Sequence, residues 1–280
     1  MNSPDIEMTT AASGDEEKEL LTYVILSCDK YSDLWNPHVA LLNKNWGDRT
    51  CRAVLVSDKP TDRQLERVDI IVAPSDSYPR RIEKACQLIK TKYILLVNDD
   101  YLLTKSIDDR LVREKLHQAD ANKIDFLSFF HNPRYCGRKF DGIEDFHYLR
   151  LELNHYQVNL YPALWTTSAL LKTTVGDNTP WFYEVSLTKN MAEQGALCVS
   201  CSTKTFPIMD TVRKGHFLHK PYRYLMKNRL YSGTREVISY REEWAIGSRR
   251  FFIRIMPRWL FKLIKKIAVK RGKQYFSGNE

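Results

Sequence analysis

The chain has 280 residues, 43% of them hydrophobic, enough to bury one sizeable core and little beside it. Its formal charge of +9 would suit a nucleic-acid surface, but Arg249 to Lys273 holds ten Lys or Arg and no acid, leaving about −1 for the rest. The main body is therefore near neutral, which argues against nucleic acid as a partner, and six scattered cysteines fit reduced thiols rather than a disulfide framework.

Residues 1–19 are polar and partly acidic, lack the basic start and apolar stretch of a secretory signal, and read as a disordered leader. Leu21 to Ser27 (LTYVILS) is a buried-strand pattern, and Leu34, Trp35, Val39, Leu42 and Trp46 then recur at helical spacing. Ala53 to Ser57 and Val68 to Ala73 repeat the strand signal, and Arg80 to Ile89 carries a second helical period. Tyr93 to Val97 (YILLV) is a continuous apolar run, as expected of a strand covered on both faces. Ile124 to Phe130 gives another strand, residues 132–152 are mixed, and Tyr156 to Trp165 alternates before a helix over Thr167 to Lys172. A loop at Gly176 to Pro180 precedes a helix over Trp181 to Gln194, and the strand-like Ala196 to Phe206 closes the core. Cys198 and Cys201 lie in that stretch as a lone CxxC, for which the plain structural reading is preferred over zinc. Nowhere do eighteen apolar residues run together, so no transmembrane helix is predicted.

Strands alternating with helices imply an α/β domain with a mostly parallel sheet flanked by helices. Ligands of such sheets bind beyond the carboxyl ends of the strands, so the loops after Ser27, Ser57 and Val97 are where chemistry is expected. These read Ser27-Cys28-Asp29, Ser57-Asp58 and Asn98-Asp99-Asp100. Two adjacent carboxylates in a crevice repel one another unless a cation lies between them. A divalent ion, Mn2+ or Mg2+, shared with two phosphate oxygens relieves that repulsion and neutralises a departing diphosphate. A solvated Asn/Asp turn at a strand end is the plain alternative. Neither GxGxxG after the first strand nor GxxxxGK[ST] anywhere is present, which removes the usual support for dinucleotide redox and P-loop chemistry.

Several stretches together resemble bacterial glycosyltransferases of GT-A fold from surface-polysaccharide loci: VILSCDKYSDLWNPHVALLNKNWGD, the Ser77-Tyr78-Pro79-Arg80-Arg81 segment followed by TKYILLVNDDYLL, and YPALWTTSALLK followed by PWFYE. Their order and spacing cover residues 21 to 215. The resemblance implies a GT-A-like (Rossmann-like) domain over residues 20–235. It implies Asp99 and Asp100 as metal and sugar-diphosphate ligands, Asp100 the more direct of the two, and Asp29 and Asp58 near the base or ribose of a UDP- or GDP-linked donor. Arg81 matches an arginine near the nucleotide, suited to phosphate by its planar fork. Glu184 matches an acid near the acceptor, where it would take the proton from a hydroxyl while the diphosphate leaves from the opposite face, inverting the anomeric centre. A structural role for Glu184 at a helix start is the alternative. In RKGHFLHKP, His216 and His219 offer a further metal ligand or phosphate contact, and Lys214 a diphosphate contact.

Residues 236–280 form a separate basic segment. Within Ser248 to Phe276, Phe252, Met256, Trp259, Leu260, Leu263 and Ile267 share one helical face, with Arg254, Arg258, Lys262, Lys265 and Lys266 towards the other. Such an amphipathic helix suits the plane of an anionic membrane, each basic residue contributing about 1 kcal/mol; docking on the domain or on RNA are its alternatives. These features together predict a cytoplasmic enzyme attached peripherally to the inner face of the membrane, acting on a saccharide, lipid-linked acceptor. A non-catalytic nucleotide-sugar or partner-binding protein and a nucleotidyltransferase remain the other readings.

Overall fold

The computed structural model describes residues 20–132, 136–151, 156–176 and 179–255, the last seven as backbone only. The 1–19 leader and most of the 248–276 segment lie outside the described residues. The first strands and helices are β1 (Leu21–Leu26), a 3-10 turn (Asp29–Leu34), α1 (Trp35–Asn45), β2 (Arg52–Ser57), β3 (Asp69–Val72), α2 (Tyr78–Leu88) and β4 (Tyr93–Asn98). There follow β5 (Tyr101–Leu103), α3 (Asp109–Ala121), β6 (Phe126–Ser128), β7 (Cys136–Phe140), β8 (Ile143–Leu149), β9 (Ala163–Thr166), α4 (Thr167–Lys172) and α5 (Pro180–Glu193). The chain continues through β10 (Cys198–Cys201), β11 (Ile208–Asp210), β12 (Val212–Arg213), β13 (His216–Phe217), α6 (His219–Lys227) and α7 (Tyr240–Ile255).

Nine strands form one sheet in the order β3-β2-β1-β4-β9-β6-β10-β8-β7, and seven of them run the same way, only β9 and β8 opposing. This is the expected α/β fold with a mostly parallel sheet. β1 and β4 are buried along their length because helices cover both faces, which is why they read as unbroken apolar runs. One face packs on α1 and α3 through Trp35, Val39, Leu42, Val112 and Leu116. The other packs on α2, α4 and α5 through Tyr78, Ile82, Leu170, Tyr183 and Leu187. Cys198 and Cys201 belong to these opposite core faces, and all six thiols are free, in keeping with the structural reading of the CxxC.

Three strand expectations are corrected. The Ile124 and Ala196 stretches contribute only Phe126–Ser128 and Cys198–Cys201 to the sheet. Residues 156–162 are irregular although they alternate, because their N–H groups are satisfied by side chains: Gln157 and Val158 donate to Thr188 Oγ1 (3.0 and 3.1 Å), Leu160 to Glu184 Oε1 (3.1 Å) and Tyr161 to Asn159 Oδ1 (3.1 Å). The mixed 132–152 stretch contains the β7–β8 hairpin.

A third apolar cluster, Leu34, Leu41, Leu102, Val212, Phe217, Leu225 and Tyr231, fastens residues 211–231 against α1 and β5. Among the described residues no helix is long and apolar enough to cross a membrane.

Candidate active site

The register Leu26↔Val56 and Leu26↔Asn98 aligns the carboxyl ends of β1, β2 and β4, so the three expected loops meet at one sheet edge. Asp99 N–H donates to Leu26 O (3.2 Å), and its carboxylate accepts from Ser27 Oγ, which in turn accepts from Trp35 Nε1 at 2.6 Å. His38 completes the mount. Its Nδ1 lies 3.1 Å from the Asp99 carbonyl, which can only accept, so Nδ1 carries the hydrogen and Nε2 accepts from Tyr23 OH at 3.1 Å. Burial pushes the His38 imidazole down to about 4, the Asp99 carbonyl opposing, so this ring is a neutral strut.

Asp99 is only 7% exposed, and burial followed by the Asp100 charge raises its carboxyl well above the usual range, Ser27 opposing. Asp100 is raised to about 7, by burial first and then by the Asp210 charge, with Arg213 pulling the other way. The C-terminal segment creates this second neighbourhood: β11 pairs with β5 so that Asp210 faces Tyr101, and Thr211 N–H and Oγ1 both donate to Asp100 O (3.0 and 2.8 Å). Arg213 donates to Asp210.

The carboxylates offer hard oxygen donors of the kind Mg2+ and Mn2+ take. Among the described residues no group of three or more His, Cys, Asp or Glu is arranged to hold a metal.

The remaining expected residues divide by position. Asp29 and Asp58 are brought together, Asp29 N–H donating to Asp58 Oδ1 at 2.5 Å and Lys59 Nζ lying 3.4 Å from Asp29 Oδ2. Arg81 is buried, donates to Ser75 O (2.9 Å) and Asp76 O (3.3 Å), and keeps a buried Nε without a partner among the described residues. Tyr78, packed 5.8 Å under that guanidinium, donates to Asn98 Oδ1 at 2.6 Å. Glu184 is raised by burial, opposed by the Leu160 N–H and by Arg213. It thus shares Arg213 with the acid pair.

Lys214 and Gly215 form the two-residue turn of the β12–β13 hairpin, with φ of 52° and 85°, a type I′ pattern that leaves Lys214 exposed at the tip. His216 sits opposite Arg213 in that hairpin with Nδ1 3.6 Å from Glu236 Oε2. His219 is bonded to Glu243 and stacked on Tyr240 at 3.7 Å.

Sequence reasoning missed Asp210, Arg213, His38 and Arg235. Arg235 binds Asp33, donates to Gly215 O and Lys30 O (both 3.0 Å), and lies 4.5 Å over the Tyr31 ring. Burial alone would raise Asp33, but hydrogen bonds from Arg235 and Tyr231 outweigh it and hold the carboxyl low. The arginine therefore ties the C-terminal segment to the turn after β1, and its positive charge favours the ionised forms of Asp99 and Asp100.

No protein-family model and no curated protein matches the chain. Among solved structures it is similar to S. aureus TarS 1–349 (12% identity, TM-score 0.45, 67% of this chain and 59% of that one). It is similar also to the mannosyltransferase PcManGT from Pyrobaculum calidifontis in complex with GDP-Man and Mn2+ (9%, 0.47, 70% and 58%). A third likeness is to the bifunctional IspDF from Campylobacter jejuni (14%, 0.42, 67% and 52%). The chain thus spans less than two thirds of the length of each of these three structures.

Proposed function

We propose that this protein is a GT-A-type glycosyltransferase that moves a sugar from a UDP- or GDP-linked donor to a saccharide, lipid-linked acceptor during assembly of a surface polysaccharide. The observation that carries the reading is the pair Asp99 and Asp100 at the end of β4, both pushed towards protonation by burial and by neighbouring acids. A cation would restore the ionised form that burial and repulsion disfavour, and the acid pair would hold Mn2+ or Mg2+ together with the donor diphosphate. When bound, that ion supplies charge neutralisation for the leaving diphosphate.

The chain's own residues carry the other tasks. Asp29 and Asp58 meet the ribose or base, and the unpartnered Arg81 Nε faces the need for an acceptor that a nucleotide would meet. Arg213, with Lys214 at the hairpin tip, supplies positive charge towards the diphosphate, and His216 beside them would offer a further ligand to the metal. Glu184 is the general base: Leu160 N–H fixes one oxygen, and burial raises its affinity for the proton of an acceptor hydroxyl. Attack from the Glu184 side with departure on the other inverts the anomeric centre.

Attachment to the inner face of the membrane through residues 248–276 belongs to the same proposal. Tyr240 and Trp244, 73% and 75% exposed, are one turn apart at the start of α7, two aromatic side chains of the kind suited to a headgroup layer.

The test is titration of UDP and GDP with and without manganese, in wild type and Asp100→Ala. Metal-dependent binding lost in the variant is expected; binding that ignores both metal and substitution would leave a non-catalytic nucleotide-binding protein. Release of pyrophosphate from a nucleoside triphosphate, in place of nucleoside diphosphate from a sugar donor, would make it a nucleotidyltransferase.

A further inference from the structure

A row of parallel rings leads away from the acid pair. Tyr101, next to Asp100, stacks on Tyr161 with centroids 5.2 Å apart and 17° between planes. Tyr161 stacks in turn on Phe130 at 4.5 Å and 13°. Phe130 is 41% exposed, and Tyr161 is the ring stacked on it among the described residues, so the row ends on a side chain in contact with solvent. A lone exposed Phe is ordinary. This one is held in place: Phe130 N–H donates to Ser128 Oγ (3.1 Å), Phe129 N–H donates to Pro162 O (3.1 Å), and the partner Tyr161 follows Leu160, whose N–H is bound by Glu184.

Sheet order decides which ligand such a face would meet. The loops carrying Asp29 and Asp58 follow β1 and β2, on one side of β4, whereas Phe130 follows β6, on the other side beyond β9. A nucleoside on the first side leaves the second for whatever receives the sugar. An aromatic face carries negative potential and attracts the weakly positive C–H groups on the flat side of a pyranose.

We propose that the exposed ring of Phe130 is the acceptor subsite, stacking on the C–H face of a pyranose unit and directing its hydroxyl towards Glu184. This inference rests on the glycosyltransferase reading. Phe130 is here a specificity-determining contact, and the Tyr101–Tyr161 pair fixes its orientation relative to Asp100.

The experiment is saturation-transfer NMR on the full chain with the methyl pyranosides of glucose, galactose, mannose, rhamnose and N-acetylglucosamine, using wild type, Phe130→Ala and Phe130→Trp. Manganese-dependent UDP and GDP binding is measured in parallel, and thermal melting checks that each variant folds. At least one glycoside should receive saturation on the protons of one ring face, with the signal falling fivefold or more in Phe130→Ala and persisting in Phe130→Trp. No glycoside contact in wild type, or contact that survives Phe130→Ala, would overturn the subsite. Loss of nucleotide contact in place of glycoside contact would assign the face to the donor base and overturn it too. Glycoside contact without any metal-dependent nucleotide binding would sink the glycosyltransferase reading while leaving a sugar site.

Discussion

Replacing Asp100 with Asn should make the metal-free protein more stable while removing its response to metal and nucleotide. Raising a carboxyl from 3.8 to about 7 corresponds to about 4 kcal/mol at pH 8. Asp100 keeps some contact with water, and screening cuts that ceiling to about 2 kcal/mol. The folded protein holds this proton more tightly than the unfolded chain, so the contribution is intact below 3.8 and is lost as pH rises towards about 7. Asn has no proton to lose. Calorimetry in a chelator should therefore give coincident melting near pH 4 and a variant about 4 °C more stable at pH 8. Adding manganese with UDP or GDP should reverse the order, stabilising wild type alone. No gain at pH 8, or an equal gain at pH 4, would refute the reasoning that the acid pair is a charge held against repulsion.

Glu184→Gln should retain donor affinity and lower sugar transfer by about 10²–10⁴-fold, read by steady-state kinetics; an unaltered rate would return Glu184 to a structural role. Arg213→Ala should weaken UDP or GDP binding about tenfold or more by calorimetric titration, and Lys214→Ala at the exposed tip by less. Equal effects would mean that the hairpin turns over on binding. His38→Ala leaves Tyr23 OH and the Asp99 carbonyl buried without their shared partner, and should cost about 2–4 kcal/mol in urea unfolding; a change under about 0.5 kcal/mol would remove the strut.

The parts of the fold that were legible in the sequence are those where one interaction dominates. β1 and β4 are apolar throughout because both faces are covered, and Asn98-Asp99-Asp100 stands out because polar residues follow such a run abruptly. The β7–β8 hairpin is hidden by exposed, charged edge residues such as Arg138, Lys139 and Glu144, although Asp141-Gly142, with Gly142 at φ 80°, is a hairpin turn signal. β5 and β11 are three residues each and gain their identity only from pairing across more than a hundred residues, so no local pattern announces Asp210 beside Asp100. Asp29, Asp58 and Asp99 could be placed at one edge from strand order alone, because parallel strands deliver their carboxyl ends together. Arg213 could not, since its role depends on a hairpin packed through Val212 and Phe217 onto Leu34 and Leu41 of a distant helix turn. His38 looks like any polar residue on an amphipathic helix until its two partners are in view.

Crystals grown with manganese and UDP or GDP, with anomalous data collected at the manganese edge, test the central claim most directly. The account predicts a peak about 2.1 Å from a carboxylate oxygen of Asp100, bridged to diphosphate oxygens. A nucleotide bound with no metal near Asp99 and Asp100, or manganese held elsewhere while both carboxylates contact neither ion nor phosphate, would contradict it.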